Sequence, residues 1–169
     1  MTTANTIVDA LRSHPLFASW EEGALQKLIG VTTLRTYHVG EPLWCEGEEG
    51  EYAFVLISGR VERSRHMRPE GRQETQYSQP GTLLSTASLV HPWAHTSTCK
   101  PVTTTQVLGL NRQDYEELFD AQEPAAYLLV DAIAQNVVEE MRDANERVHQ
   151  VFGRPAETLR NLRRRVRAR

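Results

Sequence analysis

Four glycines divide residues 37–61 into short apolar runs. They are Gly40, Gly47, Gly50 and Gly59. Glycine adopts the positive-φ conformations that sharp corners require, because it has no Cβ atom to clash with the backbone. The runs between the corners, such as residues 54–57, have the aliphatic and aromatic composition of half-buried strands. This pattern predicts a tight β-roll.

Strand-like segments bounded by glycine or proline continue as far as residue 110. The predicted strands are 32–38, 43–45, 52–57, 61–67, 73–78, 95–100 and 104–110. A helical hairpin is expected before them, with Ser19 as the N-cap of its second helix. After them, Asn111 is expected to cap a short helix, and Pro124 to begin another. The predicted fold class is mainly β with flanking helices, arranged as a double-stranded β-helix or jelly roll.

We expect three parts along the 169 residues: helices and β-roll over 1–123, a long helix over 124–152, and an arginine-rich tail over 153–169. The net charge of −3 is divided unevenly. Residues 1–153 contain 12 Lys+Arg against 21 Asp+Glu, whereas residues 154–169 contain seven Arg against one Glu. An acidic body repels nucleic acid, so polyanion binding is expected only at the tail.

The predicted long helix carries apolar residues at alternating spacings of three and four. The stripe consists of Tyr127, Val130, Ala134, Val137, Met141, Ala144 and Val148. Such a narrow stripe fits a two-helix seam, and it predicts a parallel homodimer. The alternative is that the stripe packs against its own domain.

Other kinds of chemistry are poorly represented in the sequence. Cys45 and Cys99 lie in predicted strands without CxxC spacing, which favours reduced thiols. His91 and His95 come nearest to metal-ligand spacing, but Pro92 between them disfavours a shared helix face, so no metal is expected. We find no catalytic fingerprint and expect neither an enzyme nor a cofactor. The absence of a long apolar run or signal-peptide pattern predicts a cytoplasmic protein.

The spacing of the roll resembles the cyclic-nucleotide-binding domain of the catabolite activator protein (Crp/Fnr) family. The residues that carry the resemblance are Gly40, Leu43, Gly47, Tyr52, Phe54, Leu56, Gly59 and Val61. The resemblance extends over residues 10–152. It implies that the long helix dimerises and closes over a ligand.

Residues 79–101 occupy the place of the family's phosphate-binding cassette. In that cassette, a glycine and a glutamate begin a short helix, and an arginine and a serine or threonine follow a loop. The resemblance places Ser85 at the glycine, Thr86 at the glutamate, His95 at the arginine and Thr96 at the serine. The candidate ligand-binding set is Gly81, Ser85, Thr86, Ala87, Ser88, His95 and Thr96. Loss of the guanidinium and of the acceptor for the ribose hydroxyl predicts a degenerate site.

Three functional hypotheses follow. The first is a non-enzymatic regulatory or adaptor module that acts through protein–protein interaction, its tail contacting a partner with an acidic surface. The second is a sensor of cyclic nucleotides or related second messengers, whose ligand moves the long helix. The third is non-specific binding of nucleic acid through Arg160, Arg163, Arg164 and Arg167, with anionic lipid as a further target. We expect no sequence-specific DNA reading, because only 17 residues follow Phe152, where the family's transcription factors continue into a winged helix-turn-helix.

Overall fold

The structure, a computed structural model, describes residues 4–66 and 72–152. The helices are α1 (Ala4–Arg12), α2 (Pro15–Ala18), α3 (Glu22–Val31), α4 (Ala87–Val90), α5 (Arg112–Asp120) and α6 (Pro124–Phe152). The strands are β1 (Thr33–Tyr37), β2 (Tyr52–Ser58), β3 (Val61–His66), β4 (Arg72–Tyr77), β5 (Leu83–Leu84), β6 (Thr98–Pro101) and β7 (Thr105–Asn111). The chain divides into two compact units, Met1–Ile133 and Ala134–Arg169.

The strands form two antiparallel sheets. The four-stranded sheet has the order β1-β7-β2-β5, and the three-stranded sheet has the order β4-β3-β6. In chain order, β1 and β2 belong to the four-stranded sheet and β3 and β4 to the three-stranded sheet, and β5, β6 and β7 then alternate between the two, so that β7 lies between β1 and β2. The predicted mainly β fold with flanking helices is confirmed.

The corners of the roll have the glycine conformations that the sequence predicts. Gly40, Gly47 and Gly59 have φ angles of 98°, 89° and 93°. Gly50 has a different reason to be glycine, because a Cβ atom there would lie 2.3 Å from Ser88 Oγ. Three of the four glycines therefore turn the chain, and the fourth permits close approach of another segment.

Two apolar clusters fill the interior. The larger one packs α1–α3, α4 and the beginning of α6 against the four-stranded sheet, with Leu11, Phe17 and Leu25 fully buried. The smaller one lies inside the roll and contains Leu43, Trp44, Phe54, Leu56, Val61, Leu84, Cys99 and Val107. Removal of this apolar surface from water is the main favourable contribution to folding.

The ends of the helices and strands agree with the sequence predictions at some positions and differ from them at others. Ser19 is not an N-cap: it ends α2, and α3 begins after Glu21, whose side chain makes no capping bond. Asn111 does cap α5, accepting a hydrogen bond from the Asp114 backbone N–H at 2.7 Å. Pro124 begins α6, as predicted. The segment 43–45 makes only an isolated bridge between Trp44 and Cys99.

Some faces of helix α6 are buried and others are exposed. Ala126, Leu129 and Ile133 are buried in the larger cluster. The predicted dimer stripe is instead exposed: Tyr127, Val130, Ala134, Val137, Met141, Ala144 and Val148 all lie on the surface of the chain. Met141 is 60% exposed, which is unusual for so apolar a side chain. Dimerisation through the stripe and its packing against its own domain both remain predictions.

Candidate functional site

The cassette segment begins where β5 ends. Ser85 follows Leu84 with a φ angle of 58°, and Ser88 donates its backbone N–H to the Ser85 carbonyl at 3.0 Å to start the single turn α4. A non-glycine residue in this left-handed conformation is uncommon and costs about 1–2 kcal/mol. The position that the resemblance assigns to glycine therefore keeps a backbone shape suited to glycine while carrying a serine.

Three of the seven candidate ligand-binding residues converge in a polar cluster. Ser85 Oγ lies 2.7 Å from Ser88 Oγ and 3.5 Å from His95 Nδ1. The first distance is a good hydrogen bond, and the second is at the outer limit of one. Ser85 thus contacts both Ser88 and His95.

The other four candidate residues do not join this cluster. Thr86 is buried, whereas Ala87 and Thr96 are exposed. Gly81 lies at the preceding corner, where a Cβ atom would approach within 2.3 Å of His14 Cβ. Its backbone N–H donates to the Leu56 carbonyl at 2.7 Å, which fixes the start of the cassette against β2.

His95 also belongs to a stack of aromatic rings. Its ring centroid lies 5.1 Å from that of Trp44 in a stacked geometry, and Trp44 in turn stacks on Phe54 at 5.9 Å. Burial lowers the pKa of His95, and the nearby Glu48 carboxylate opposes this shift only in part. His95 is therefore mostly neutral at pH 7.

An open cleft of about 450 Å³ lies beside this stack. Its lining consists of Arg35, Leu43, Trp44, Glu48, Glu49, Glu51, Tyr52, Phe54 and His95, and we call it the acidic cleft. Backbone hydrogen bonds hold its rim: His95 donates to the Glu48 carbonyl at 2.8 Å, and Gly50 donates to the Trp93 carbonyl at 3.1 Å. The acidic loop 46–51 is therefore fixed against segment 93–95.

Arg35 supplies a positive charge within the lining. Its guanidinium lies 4.0 Å from the centroid of the Tyr52 ring. Burial acts to lower the pKa of Arg35, but hydrogen bonds to Tyr37 and Tyr52 outweigh burial and raise it above its ordinary value. Arg35 is a permanent cation already placed against an aromatic face.

Arg112 joins three segments that are distant in the sequence. Its Nη2 atom donates to the carbonyls of Ser88 at 2.7 Å and Gly50 at 2.8 Å, and its Nε atom donates to Ser88 at 2.9 Å. Sequence reasoning missed this residue. A cation in the first turn of a helix is electrostatically unfavourable, so its place directly after the N-cap Asn111 was the available signal that it has another partner.

Several other candidate features have ordinary structural surroundings. Cys45 and Cys99 are both free thiols, and burial raises the pKa of Cys99 to about 12. The described residues contain no group of three or more His, Cys, Asp or Glu side chains able to hold a metal ion. Within 4–66 and 72–152, none of the helices has the length and apolar character to span a membrane. Arg160, Arg163, Arg164 and Arg167 lie outside the described residues.

The roll, its flanking helices and the turn at the cassette position define a known class of ligand-binding regulatory domain. Residues 34–122 match the family described as "Cyclic nucleotide-binding domain", and the chain belongs to this family. The predicted resemblance is therefore confirmed. Over 132 residues the chain is 26% identical to the "Cyclic AMP receptor protein" of Thermus thermophilus, an alignment that covers 76% of this chain and 60% of that protein.

Solved structures show the same architecture. The N-terminal domain of a transcriptional regulator from Streptomyces coelicolor A3(2) has 26% identity and a TM-score of 0.66, with 80% of this chain and 94% of that chain covered. The catabolite activator protein of Thermus thermophilus has 22% identity and a TM-score of 0.68, with 82% and 65% covered. A cyclic nucleotide-binding domain from Methylobacillus flagellatus has 16% identity and a TM-score of 0.75, with 85% and 81% covered. These likenesses confirm the predicted jelly-roll fold.

Proposed function

We propose that this chain is a non-enzymatic regulatory module that acts through protein–protein contacts and does not bind cyclic mononucleotides by the contacts usual in its family. The observation that carries the proposal is the chemistry of the cassette. Thr86 and His95 stand where the family pattern implies a glutamate and an arginine, and His95 is mostly neutral. Ser85 and Ser88 are already hydrogen-bonded to each other.

The energetic consequence can be bounded from ordinary magnitudes. A charge-assisted hydrogen bond contributes about 1.5–3 kcal/mol, and each 1.4 kcal/mol corresponds to about tenfold in affinity. Without the guanidinium and the carboxylate, affinity for a cyclic mononucleotide is expected to fall by about two orders of magnitude or more. The chain thus has the fold of the family but lacks the charged groups with which the family usually binds its ligand.

Titration calorimetry with a panel of cyclic mono- and dinucleotides tests this proposal. We expect no heat from the wild-type chain, and a gain of about a hundredfold in cyclic mononucleotide affinity for the triple variant Ser85→Gly, Thr86→Glu, His95→Arg. The matched control is Ser85→Gly, Thr86→Gln, His95→Gln, which restores the backbone and side-chain size without the charges. Micromolar binding of a cyclic mononucleotide by the wild type would overturn the proposal in favour of the sensor hypothesis.

We further propose that the module is a parallel homodimer joined through the stripe on α6. Val137, Met141 and Val148 are all exposed on the isolated chain, and Ala134 and Ala144 leave room for a second helix to approach closely. Burial of these side chains against a twin helix would remove the exposed apolar surface from water.

Sedimentation of two lysine variants tests the dimer. Met141→Lys places a charge in the stripe, whereas Asp143→Lys places the same side chain about 200° around the helix. We expect Met141→Lys to shift the protein toward monomer and Asp143→Lys to leave the oligomeric state unchanged. An identical response of the two variants would contradict this interface.

A further inference from the structure

The lining of the acidic cleft contains three carboxylates and one cation, Arg35. The Glu48 carboxylate accepts a hydrogen bond from the Cys45 backbone N–H at 2.8 Å. Among the residues that the structure describes, the carboxylates of Glu49 and Glu51 have neither a hydrogen-bond donor nor an ion-pair partner. The three carboxylates outnumber Arg35, so the concave surface keeps an acidic excess that favours a further cation.

Aromatic rings lie beside those carboxylates in the lining. Trp44 and Phe54 are buried, and Trp44 stacks between Phe54 and His95. Tyr52 already has Arg35 over its ring, which shows that this part of the cleft accommodates a guanidinium. A planar guanidinium stacks on aromatic faces and also bonds carboxylates in a bidentate manner, whereas a lysine ammonium does neither as well.

A buried donor in the lining points to a ligand with an acceptor as well. Trp44 is only 6% exposed, and its indole Nε1 has no hydrogen-bond partner among the described residues. Buried N–H groups are nearly always hydrogen-bonded, so an orphan in a cleft wall calls for an explanation. A peptide would supply carbonyl oxygens for such a donor and arginine side chains for the carboxylates, which no simple cation does.

The chain itself contains a segment of this chemistry. Residues 154–169 have seven arginines against one glutamate, while residues 1–153 have an excess of acidic side chains. We infer that the acidic cleft binds the arginine-rich segment 154–169 of a second copy of this chain, with guanidinium groups paired with Glu49 and Glu51. This inference deepens the proposed function, on which it rests, by naming the partner of the tail and the surface that receives it.

Fluorescence anisotropy of a labelled synthetic peptide, residues 154–169, measures the interaction directly. The acceptor is the full chain carrying Arg→Gln at 154, 160, 163, 164, 165, 167 and 169, so that its own segment does not compete. We expect saturable binding that weakens about five- to tenfold in the additional presence of Glu49→Gln and Glu51→Gln. Binding is also expected to weaken as salt is raised from low to physiological ionic strength.

Two controls separate this site from general attraction to an acidic protein. Glu21→Gln with Glu116→Gln removes the same number of exposed charges elsewhere and is expected to leave affinity within about twofold. A peptide with lysine at every arginine is expected to bind more weakly, because it keeps the charge but loses the planar fork. Equal losses in the two glutamate pairs, or no saturable binding, would overturn the inference.

Photo-cross-linking tests whether the segment comes from a second copy. Chains carrying benzoylphenylalanine in place of Leu162 are prepared with and without ¹⁵N, exchanged by dilution and reconcentration, and irradiated. Cross-links from 162 to the acidic loop 46–51 in mixed-isotope pairs are expected, and cross-links confined to single-isotope products would contradict the assignment to a second copy. The nucleotide titration of the triple cassette variant is independent of these measurements, so failure of the inference and failure of the proposed function give different results.

Discussion

The corners of the roll and the cassette turn both require left-handed backbone, but they meet that requirement with different residues. At the corners, Gly47 and Gly59 have φ angles near 90°. At the cassette, Ser85 has a φ angle of 58°. The corner residues suit their conformation intrinsically, whereas Ser85 is held in its conformation by neighbours, including its hydrogen bond to Ser88. The corners therefore use residues that suit their conformation, and the cassette turn depends on side-chain contacts of Ser85.

Among the substitutions that test this comparison, Gly59→Ala is expected to cause the largest loss of unfolding free energy. A Cβ atom at this corner would lie 2.6 Å from the Thr104 carbonyl oxygen and 2.7 Å from Thr105 Cα, in addition to the unfavourable φ angle. The combined steric and conformational penalty is about 3 kcal/mol or more, because backbone atoms cannot rotate away. Urea unfolding measures it; a loss below about 1 kcal/mol would mean that the corner tolerates ordinary residues.

A smaller effect is expected from Gly47→Ala. Its φ angle of 89° is nearly the same, but apart from its chain neighbours no residue that the structure describes has an atom within 4 Å of the position of a Cβ atom. Only the conformational penalty of about 1–2 kcal/mol remains. The difference in unfolding free energy between the two alanine variants isolates the steric part, and equal losses would show that φ alone decides the identity of these corners.

The next largest effect is expected in the difference in stability between two substitutions of Ser85. Ser85→Ala keeps the strained conformation and removes the hydroxyl, so we expect a loss of about 1–2 kcal/mol. Ser85→Gly also removes the hydroxyl but relieves the strain, and its stability is expected to exceed that of Ser85→Ala by about 1 kcal/mol. Chemical denaturation of both variants measures the difference. If the alanine variant is the more stable, Ser85 is not strained.

The smallest effect is expected in the pH dependence of stability. The pKa of His95 is lowered in the folded chain, so the unfolded chain binds the proton more readily. The His95 contribution to stability is therefore present above the ordinary histidine pKa and is lost as pH falls through it. We expect His95→Gln to show a shallower loss of unfolding free energy between about pH 7 and pH 5 than the wild type. If the unfolding free energies of the wild type and of His95→Gln change in parallel with pH, His95 does not contribute to the pH dependence of stability.

Sequence reasoning was sufficient where the relevant interactions are local. Asn111 caps α5 through a residue three positions away, and the corner glycines act through their own φ angles. The family resemblance predicted the position of the cassette, and this assignment remains a prediction. Contacts between distant segments were not accessible in this way: Arg112 meets Gly50 across 62 positions, and the acidic cleft combines residues from 35 to 95. The two residues of β5 are too few for a periodic pattern.

The hydrogen bonds of Arg112 have a mechanical consequence for the molecule. The Arg112 guanidinium, in the first turn of α5, donates hydrogen bonds to the carbonyls of Gly50 and Ser88. These bonds are charge-assisted and therefore stronger than neutral ones. Arg112 therefore ties together the acidic loop, the cassette turn and the first turn of α5. We therefore expect a displacement of Gly50 to be accompanied by a displacement of Ser88 and of the first turn of α5.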